Sequence, residues 1–220
     1  MNMCGDSLKE ECDLFQDQDG GSNPTSPLQL KIKLIEKKEV KWAYIHWHYF
    51  GEKGFLSTFD FGVYFNGVLV GGISYGIPNA RNIKGIYNQT TQGNFLELTR
   101  LALSPTCPKN SESRVIGITV KMVKKLKPEL EGIITYADTK YNHTGIIYRA
   151  SNFRYIGLTD QKTDLFVEGK PVGKLKGVKY SKIKGEWMPR SRKHLFIREF
   201  KRIAAQDQEG KTAQQITPVL

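Results

Sequence analysis

Alternating hydrophobic and polar residues in the N-terminal half of this chain predict strands. Apolar side chains at every second position of residues 28–34 indicate a half-buried first strand. An amphipathic helix from about residue 36 to residue 50 is expected next, with Gly51 as its stop. A second alternation begins at Phe59 and leads into Asn66-Gly67 and a short apolar return, which predicts a hairpin with a two-residue turn.

Residues 95–156 form the longest continuous framework in the pattern. It predicts a strand at 95–103, a polar loop, a helix at 114–126, a buried strand at 132–138 and a second helix at 143–153. The alternation of the first of these strands slips by one residue near Thr99–Arg100, which predicts a β-bulge. Bulges re-aim side chains and gather beside active sites. We therefore expect Arg100 to point into a cleft, and favour an edge-face salt bridge for Glu97.

The expected element order is β-α-β-β-β-α-β-α with a β-rich end, which predicts an α/β fold with one core. Splayed strands, with a polar loop that leads into a helix N-terminus, form a ligand-binding cleft. This arrangement resembles the Gcn5-related N-acetyltransferase fold, in which a central mixed β-sheet is flanked by helices. The resemblance implies that fold here.

Charge divides the chain into a leader, one domain and a tail. Of the net charge of +11, residues 1–27 carry −5 and the remaining residues carry +16. We expect a disordered acidic leader at 1–27, a catalytic domain at 28–203 and a disordered tail at 204–220. A basic body favours phosphate-rich partners, although a generically basic soluble protein has the same charge.

Cysteine usage and hydropathy bear on the compartment. Three cysteines, two of them in the leader, make no disulfide framework. No apolar run approaches membrane-spanning length, and no signal-peptide pattern opens the chain. These features predict a reducing, cytoplasmic compartment and no membrane partner.

The loop before the helix at 114–126 is a candidate anion site. Its polar residues and the free N–H groups of the first helical turn favour an anion together with the helix dipole. Ordinary helix capping explains Asn110 and Ser111 equally well. In the acetyltransferase fold that the chain resembles, a Gln/Arg-x-x-Gly-x-Gly/Ala pattern grips the coenzyme A pyrophosphate. Arg114-x-x-Gly117 matches its first half, and Thr119 departs from its last small residue.

Two other positions carry candidate chemistry. Asp138 ends the buried strand, where ligands bind in parallel sheets, and could orient or deprotonate an amine, or simply cap the next turn. His48 and Tyr49, at the end of the first helix, could act in acid/base chemistry or stack on a nucleobase, or could be ordinary helix aromatics. His46 and His48 are two residues apart and point to different sides of a helix, so no metal site is expected.

A basic ribbon is expected at about residues 166–192. From Phe166 to Arg202 the chain has twelve Lys or Arg and three acids, with aromatic residues between them and glycines that break any helix. Flexible cations beside aromatic rings suit nucleic acid, although a solvated basic hairpin has the same composition. The expected DNA contacts are Lys174, Lys176, Lys179, Lys182, Arg190 and Arg192.

A narrower resemblance extends from about residue 30 to about residue 200. The chain is similar to the bacteriophage Mom DNA-modification family in Glu97-Leu98-Thr99-Arg100-Leu101, the 109–114 loop, Ala137-Asp138-Thr139, the 143–153 segment, His48-Tyr49 and Arg192-Lys193-His194. Mom-like proteins have an acetyltransferase-type fold and attach a carbamoylmethyl group to N6 of adenine in DNA, which shields phage DNA from host restriction. The resemblance implies this activity, in the cytoplasm of a bacterial host cell, with DNA and a donor molecule or carrier as partners.

The resemblance also implies site residues. The catalytic candidates are His48, Tyr49, Arg100, Ser113 and Asp138, and the donor-binding candidates are Asn110, Ser111, Arg114 and Tyr148. Asp138 would take or orient the N6 proton, Arg100 and the Ser113 helix terminus would hold the donor, and His48 and Tyr49 would line the base pocket. A coenzyme A thioester, an aminoacyl carrier and another glycine-like donor stay open. So do two other functions, an N-acetyltransferase of a protein or small-molecule amine and a non-catalytic nucleic-acid-binding module.

Overall fold

The structure is a computed structural model that describes residues 23–51, 53–78, 92–172 and 183–200. The described residues form two compact units, one built from the chain up to Ile134 and from Arg198 onward, the other from Thr135–Ile197. The predicted α/β class, with a mixed sheet flanked by helices, is confirmed. The expected leader and tail lie almost wholly outside the described residues.

The first unit contains a sheet of order β1-β2-β3-β4-β5 and two helices. Its elements are β1 (Lys31–Leu34), α1 (Lys37–Trp47), β2 (Phe59–Phe65), β3 (Val68–Gly76), β4 (Phe95–Leu103), α2 (Ser111–Leu126) and the first three residues of β5 (Gly132–Asp138). Strands β1 to β4 pair antiparallel. The predicted turn between β2 and β3 is confirmed, since Asn66 and Gly67 both have positive φ angles, of 48° and 90°.

The two helices of the first unit cover opposite faces of its sheet. Ser74 of β3 bonds to Tyr44 of α1, and the next residue, Tyr75, bonds to Thr119 of α2, each at 2.7 Å. Successive strand residues point to opposite faces, so α1 and α2 lie on opposite sides. Helix α1 approaches β3 closely at Gly72, where a Cβ atom would lie 2.1 Å from Val40 Cγ2.

The second unit contains the rest of β5 and a three-stranded sheet. Besides that sheet, this unit contains β10 (Lys193–Glu199) and β6 (Arg154–Leu158), and with β5 they lie in the order β5-β10-β6. The last two residues of β10 belong to the first unit. The remaining elements are α3 (Ile146–Ala150), β7 (Thr163–Val167), β8 (Lys170–Pro171) and β9 (Glu186–Pro189). The last three of these form the three-stranded sheet, in the order β8-β7-β9.

Four predicted elements had wrong boundaries. Helix α2 begins at Ser111, three residues before the predicted start. The first strand begins at Lys31, because Ser26 and Gln29 cap each other across a 3-10 turn over Pro27–Gln29. Helix α1 ends at Trp47, since the Phe50 N–H donates to His48 Nδ1 at 3.1 Å and this local bond replaces a further helical turn. Helix α3 is short because Gly145 before it has a φ of 73°, outside the helical range.

Candidate functional site: an arginine and aromatic side chains at a bulge

Arg100 lies in β4 immediately after a β-bulge. Tyr75 pairs with Leu98 and Ser74 pairs with Arg100, so Thr99 is the extra residue. Arg100, Ser74 and Asp60 then stand directly opposite one another on β4, β3 and β2. Directly opposite residues of antiparallel strands share a face, so these side chains form one row on the face that α1 covers. The predicted bulge is confirmed.

The Arg100 guanidinium is held by aromatic rings. Its central carbon lies 4.6 Å from the centroid of the Phe50 ring and 5.7 Å from that of Phe55. Nη1 donates to the carbonyl of Thr99 at 3.1 Å, and the buried Nε has no hydrogen-bond partner among the described residues. Burial lowers the pKa of Arg100, against the opposing effect of Tyr49, Tyr44 and Glu97. The group stays a cation, and its Nε is a donor that could serve a ligand oxygen.

His48, Tyr49 and Phe50 form a ring cluster just after α1. The His48 and Tyr49 rings are stacked with centroids 4.3 Å apart, and the Tyr49 and Phe50 centroids are also 4.3 Å apart. Because His48 Nδ1 accepts the backbone N–H of Phe50, a neutral His48 carries its proton on Nε2. Tyr49 is 43% exposed. The structure thus brings His48, Tyr49 and Arg100, three of the sequence-predicted site residues, into one cluster through Phe50.

Sequence reasoning missed Phe50 and Phe55, which hold Arg100, and the buried side chains of Asp60 and Ser74 beside it. A signal was present in the uninterrupted run His48-Tyr49-Phe50 next to a glycine, which an amphipathic helix does not require. No comparable signal marks Asp60 or Ser74, because their place next to Arg100 depends on the pairing register of three strands.

The start of α2 holds four more of the predicted residues. Ser111 is buried and its hydroxyl donates to the Pro108 carbonyl at 2.6 Å, and the Ser113 hydroxyl donates to the Asn110 carbonyl at 3.0 Å. Asn110 has a φ of 71° and makes no side-chain cap. Arg114 Nε is buried without a hydrogen-bond partner among the described residues. An anion here would therefore meet Arg114 and the helix N-terminus rather than the Ser111 hydroxyl.

The sequence resemblance to the acetyltransferase fold implies coenzyme A at this helix start, and the residues present fit its pyrophosphate in part. The orphaned Arg114 Nε supplies a donor, and a Cβ atom at Gly117 would meet no atom within 4 Å, so the backbone there is open to a ligand. Thr119, where the family has a small residue, is buried and bonded to Tyr75 and to the carbonyls of Val115 and Ile116.

Asp138 and Tyr148 lie in the second unit. Asp138 is 7% exposed and its Oδ1 accepts the Lys140 N–H at 3.0 Å, so it caps the short turn that follows β5. Tyr148 is buried against Phe153 and Phe196, and burial raises its pKa, against the opposing effect of a hydrogen bond with Thr135. The cap leaves the proposed base role of Asp138 a prediction.

Two of the predicted DNA contacts are described. Arg190 forms a bidentate salt bridge with Asp164, in which Nε donates to Oδ2 at 2.7 Å and Nη2 donates to Oδ1. This pairing raises the pKa of Arg190. Arg192 is exposed and its Nε donates to the Thr159 carbonyl at 2.7 Å. Lys174, Lys176, Lys179 and Lys182 lie outside the described residues. DNA contact by these six side chains stays a prediction.

Metal binding and membrane insertion have no support in the described part of the chain. It contains no group of three or more His, Cys, Asp or Glu side chains placed to hold a metal ion. None of its helices combines the length and the apolar character needed to cross a membrane.

Comparison with known proteins gives one sequence relative and a set of solved structures. The relative is the "Methylcarbamoylase mom" of Escherichia phage Mu, 33% identical over 102 residues, which are 46% of this chain and 42% of that protein. A Bacillus subtilis acetyltransferase in complex with CoA is 13% identical with a TM-score of 0.46, covering 78% of this chain and 99% of that one. An IAA acetyltransferase from Bacillus cereus is 10% identical with a TM-score of 0.47 and the same coverage of both chains.

The family comparison covers far more of the chain than the sequence relative does. The Mom protein family matches residues 29–208, which include all elements of both units. The chain belongs to the Mom protein family.

Proposed function

We propose that this protein is a DNA-modifying group transferase that adds a carbamoylmethyl group to N6 of adenine. Family membership and the likeness to the methylcarbamoylase of phage Mu support this activity. The observation that carries it is the cluster at the bulge, where the half-buried Arg100, whose Nε has no partner in the described part of the chain, lies near the stacked rings of His48 and Tyr49. Such a cluster offers a planar cation for a ligand oxygen and rings for a nucleobase.

The reaction makes two demands that these residues suit. The adenine edge must leave the duplex, because N6 cannot enter a cleft while it is paired and stacked. Tyr49, which is 43% exposed, and the His48 ring stacked on it give the flipped base an aromatic surface. The donor must also be fixed, and Arg100 would hold it through an oxygen atom while Arg114 and the start of α2 hold an anionic part.

The transfer itself forms a bond between N6 and the CH₂ carbon of the donor. The bond from that carbon to the donor's leaving group breaks, and one N6 proton is lost. N6 is a weak nucleophile because its lone pair is delocalised into the ring, so a base near it lowers the barrier. We assign this role to Asp138. A coenzyme A thioester, if bound, would supply an activated carbonyl carbon from which the thiolate leaves, and so would acylate N6. A carbamoylmethyl product requires a donor whose leaving group is on the CH₂ carbon.

The test is the mass of the nucleosides in DNA from bacteria that express the chain. We expect part of the deoxyadenosine to be heavier by one carbamoylmethyl group, and the DNA to resist some restriction enzymes. The Arg100→Ala variant at equal soluble expression should leave the DNA unmodified. Unmodified deoxyadenosine throughout, from well-expressed wild-type protein, would refute the proposed function.

A further inference from the structure

A chain of buried hydrogen bonds runs from β2 through β3 to α1 in the first unit. Ser57 Oγ donates to Asp60 Oδ2 at 2.8 Å, and Ser74 Oγ donates to Asp60 Oδ1. Since the single Ser74 proton is used on Asp60, the Tyr44 hydroxyl is the donor in its 2.7 Å bond to Ser74 Oγ. Tyr44 is 1%, Ser74 0% and Asp60 7% exposed. The direction of the chain is thus fixed, from Tyr44 towards the carboxylate.

This arrangement is costly, which argues that it has a role other than filling the core. A buried carboxylate is unfavourable unless hydrogen bonds satisfy it, and apolar side chains of the same volume are often as stabilising in such a place. Here two serine hydroxyls donate to one carboxylate, and a tyrosine hydroxyl donates to one of these serines. What polar bonds add over apolar packing is direction, because each fixes the position of its partner atom.

The side chains that these hydrogen bonds hold in place belong to the elements that carry the candidate site. Tyr44 packs edge-on against His48, with ring centroids 6.0 Å apart, and against Phe55 at 5.1 Å. Phe55 in turn lies 5.7 Å from the Arg100 guanidinium, and Ser74 stands directly opposite Arg100 on the neighbouring strand. The hydrogen-bonded chain therefore connects the C-terminal end of α1, which precedes His48 and Tyr49, with the strand beside Arg100.

We propose that Asp60 is a positioning residue of this site: through Ser74 and Tyr44 its carboxylate anchors the C-terminal end of α1 to the sheet and sets His48 and Tyr49 relative to Arg100. Asp60 is itself buried and does not touch substrate. Its effect on modification rests on the proposed function, whereas its effect on the position of His48 does not.

The first unit offers a matched control for this proposal. Tyr75 is buried like Tyr44, and its hydroxyl makes a bond of the same length, 2.7 Å, to another hydroxyl, that of Thr119. This bond lies on the opposite face of the sheet, towards α2. Tyr44→Phe and Tyr75→Phe therefore remove the same chemical bond at the same burial, and only Tyr44→Phe interrupts the chain from Asp60.

The experiment compares Tyr44→Phe, Asp60→Asn and Tyr75→Phe in three measurements: thermal unfolding, adenine modification in cells at equal soluble expression, and the proton NMR signals of the histidine rings. His48→Gln assigns the His48 signal. We expect Tyr44→Phe and Tyr75→Phe to lower the unfolding temperature alike. Modification should fall about tenfold or more in Tyr44→Phe and Asp60→Asn, because small misplacements of reacting groups are costly, and should stay within about twofold in Tyr75→Phe. The His48 signal should shift in Tyr44→Phe and in Asp60→Asn, and should stay in place in Tyr75→Phe.

Two results would overturn the proposal. One is an equal loss of modification in Tyr44→Phe and Tyr75→Phe at an equal loss of stability. That result would show that the hydrogen bonds from Tyr44 to Asp60 only stabilise the core. The other is a His48 signal that is unchanged in Tyr44→Phe or in a folded Asp60→Asn. If Asp60→Asn does not fold, Ser57→Ala, which removes one of the two donors to the carboxylate, takes its place. If the wild type leaves DNA unmodified, the proposed function fails, and the His48 signal alone decides on the positioning role.

Discussion

At the scale of single residues, the chemistry of Arg100 depends on the side chains around it. Arg100 differs from a surface arginine because Phe50 covers its face and its Nε is buried without a partner among the described residues. A half-buried guanidinium interacts more strongly with a ligand oxygen than an exposed one does, since less water competes for its donors. This setting makes Arg100, rather than the paired Arg190, the stronger candidate for holding a donor.

Asp138 shows how one residue can carry both a turn and a candidate function. Its Oδ1 accepts the Lys140 N–H, an interaction that the Asn amide oxygen can also make. In Asp138→Asn we therefore expect a normal fold, retained DNA binding, and modification reduced about a hundredfold or more, the scale of a lost general base. Nucleoside mass spectrometry checks this, with the exposed Asp160→Asn as the control in the same unit. Wild-type modification in Asp138→Asn would reduce Asp138 to a turn cap.

Cys107 gives a prediction of pH dependence that does not involve the reaction. Burial, together with the negative charge of Glu112, raises the pKa of the Cys107 thiol to about 11. A raised pKa means less thiolate at neutral pH, and the thiolate is the reactive form. In a variant with serine at positions 4 and 12, alkylation should be slow near pH 7 and should accelerate as pH rises towards 11. Fast alkylation at neutral pH, followed by intact mass, would contradict the buried setting of this thiol.

At the scale of elements, hydrophobic periodicity predicted the bounds of β4 and β5 best. Strands β4 and β5 have the predicted bounds of 95–103 and 132–138, and the predicted slip near Thr99 is a bulge. Elements that end through side-chain bonds to the backbone were predicted less well. The capped turn before β1 and the His48 bond after α1 depend on local geometry that hydrophobic periodicity does not encode.

The same limit applies to the candidate site. His48, Tyr49 and Arg100 could be singled out from sequence because their residue types are unusual in their places. Asp60, Ser74 and Phe55 could not, because a carboxylate, a serine and a phenylalanine on unrelated segments acquire meaning only when the strands pair in one register.

The packing of α1 on β3 gives a prediction at this scale. A Cβ atom at position 72 would lie 2.1 Å from Val40 Cγ2 but 3.5 Å from Val40 Cβ, an ordinary contact. Gly72→Ala should therefore destabilise the protein by about 1–3 kcal/mol, as overpacking does. Combined with Val40→Ala, which removes the obstructing methyl group, it should cost much less than the sum of the two single changes.

Urea unfolding of the two single variants and the double variant measures this coupling. Gly54→Ala is the control, because a Cβ atom there would meet nothing within 4 Å. Strict additivity of Gly72→Ala and Val40→Ala would show that the helix does not approach the strand at this point. Since α1 precedes His48 and Tyr49, the same variants would also show how far the candidate site tolerates a displaced helix.

At the scale of the whole molecule, the proposed function requires DNA binding, and we expect net charge to dominate it. The chain beyond the leader carries +16, and the segment from 166 to 202 has twelve basic residues against three acids. Since Arg190 is already paired with Asp164, the lysines of this segment are the better candidates for phosphate contact. Contacts to phosphates position a duplex without reading its sequence, so under the proposed function we expect the aromatic cluster to select the adenine.

The salt dependence of DNA binding tests this division. Each phosphate contact releases counterions, so the slope of log K against log salt should flatten by about 0.9 for each contact that is removed. Replacing Lys174, Lys176 and Lys179 by Gln should therefore flatten the slope and weaken binding to all duplex sequences alike, with thermal unfolding unchanged. The control replaces Lys31, Lys33 and Lys41, three exposed lysines of the first unit, by Gln and lowers the net charge equally. Equal slopes in both triple variants would mean that only total charge matters. The expected result is a flatter slope in the first variant alone, with modification per bound DNA at the wild-type level. It would place DNA positioning in the basic segment and the chemistry elsewhere.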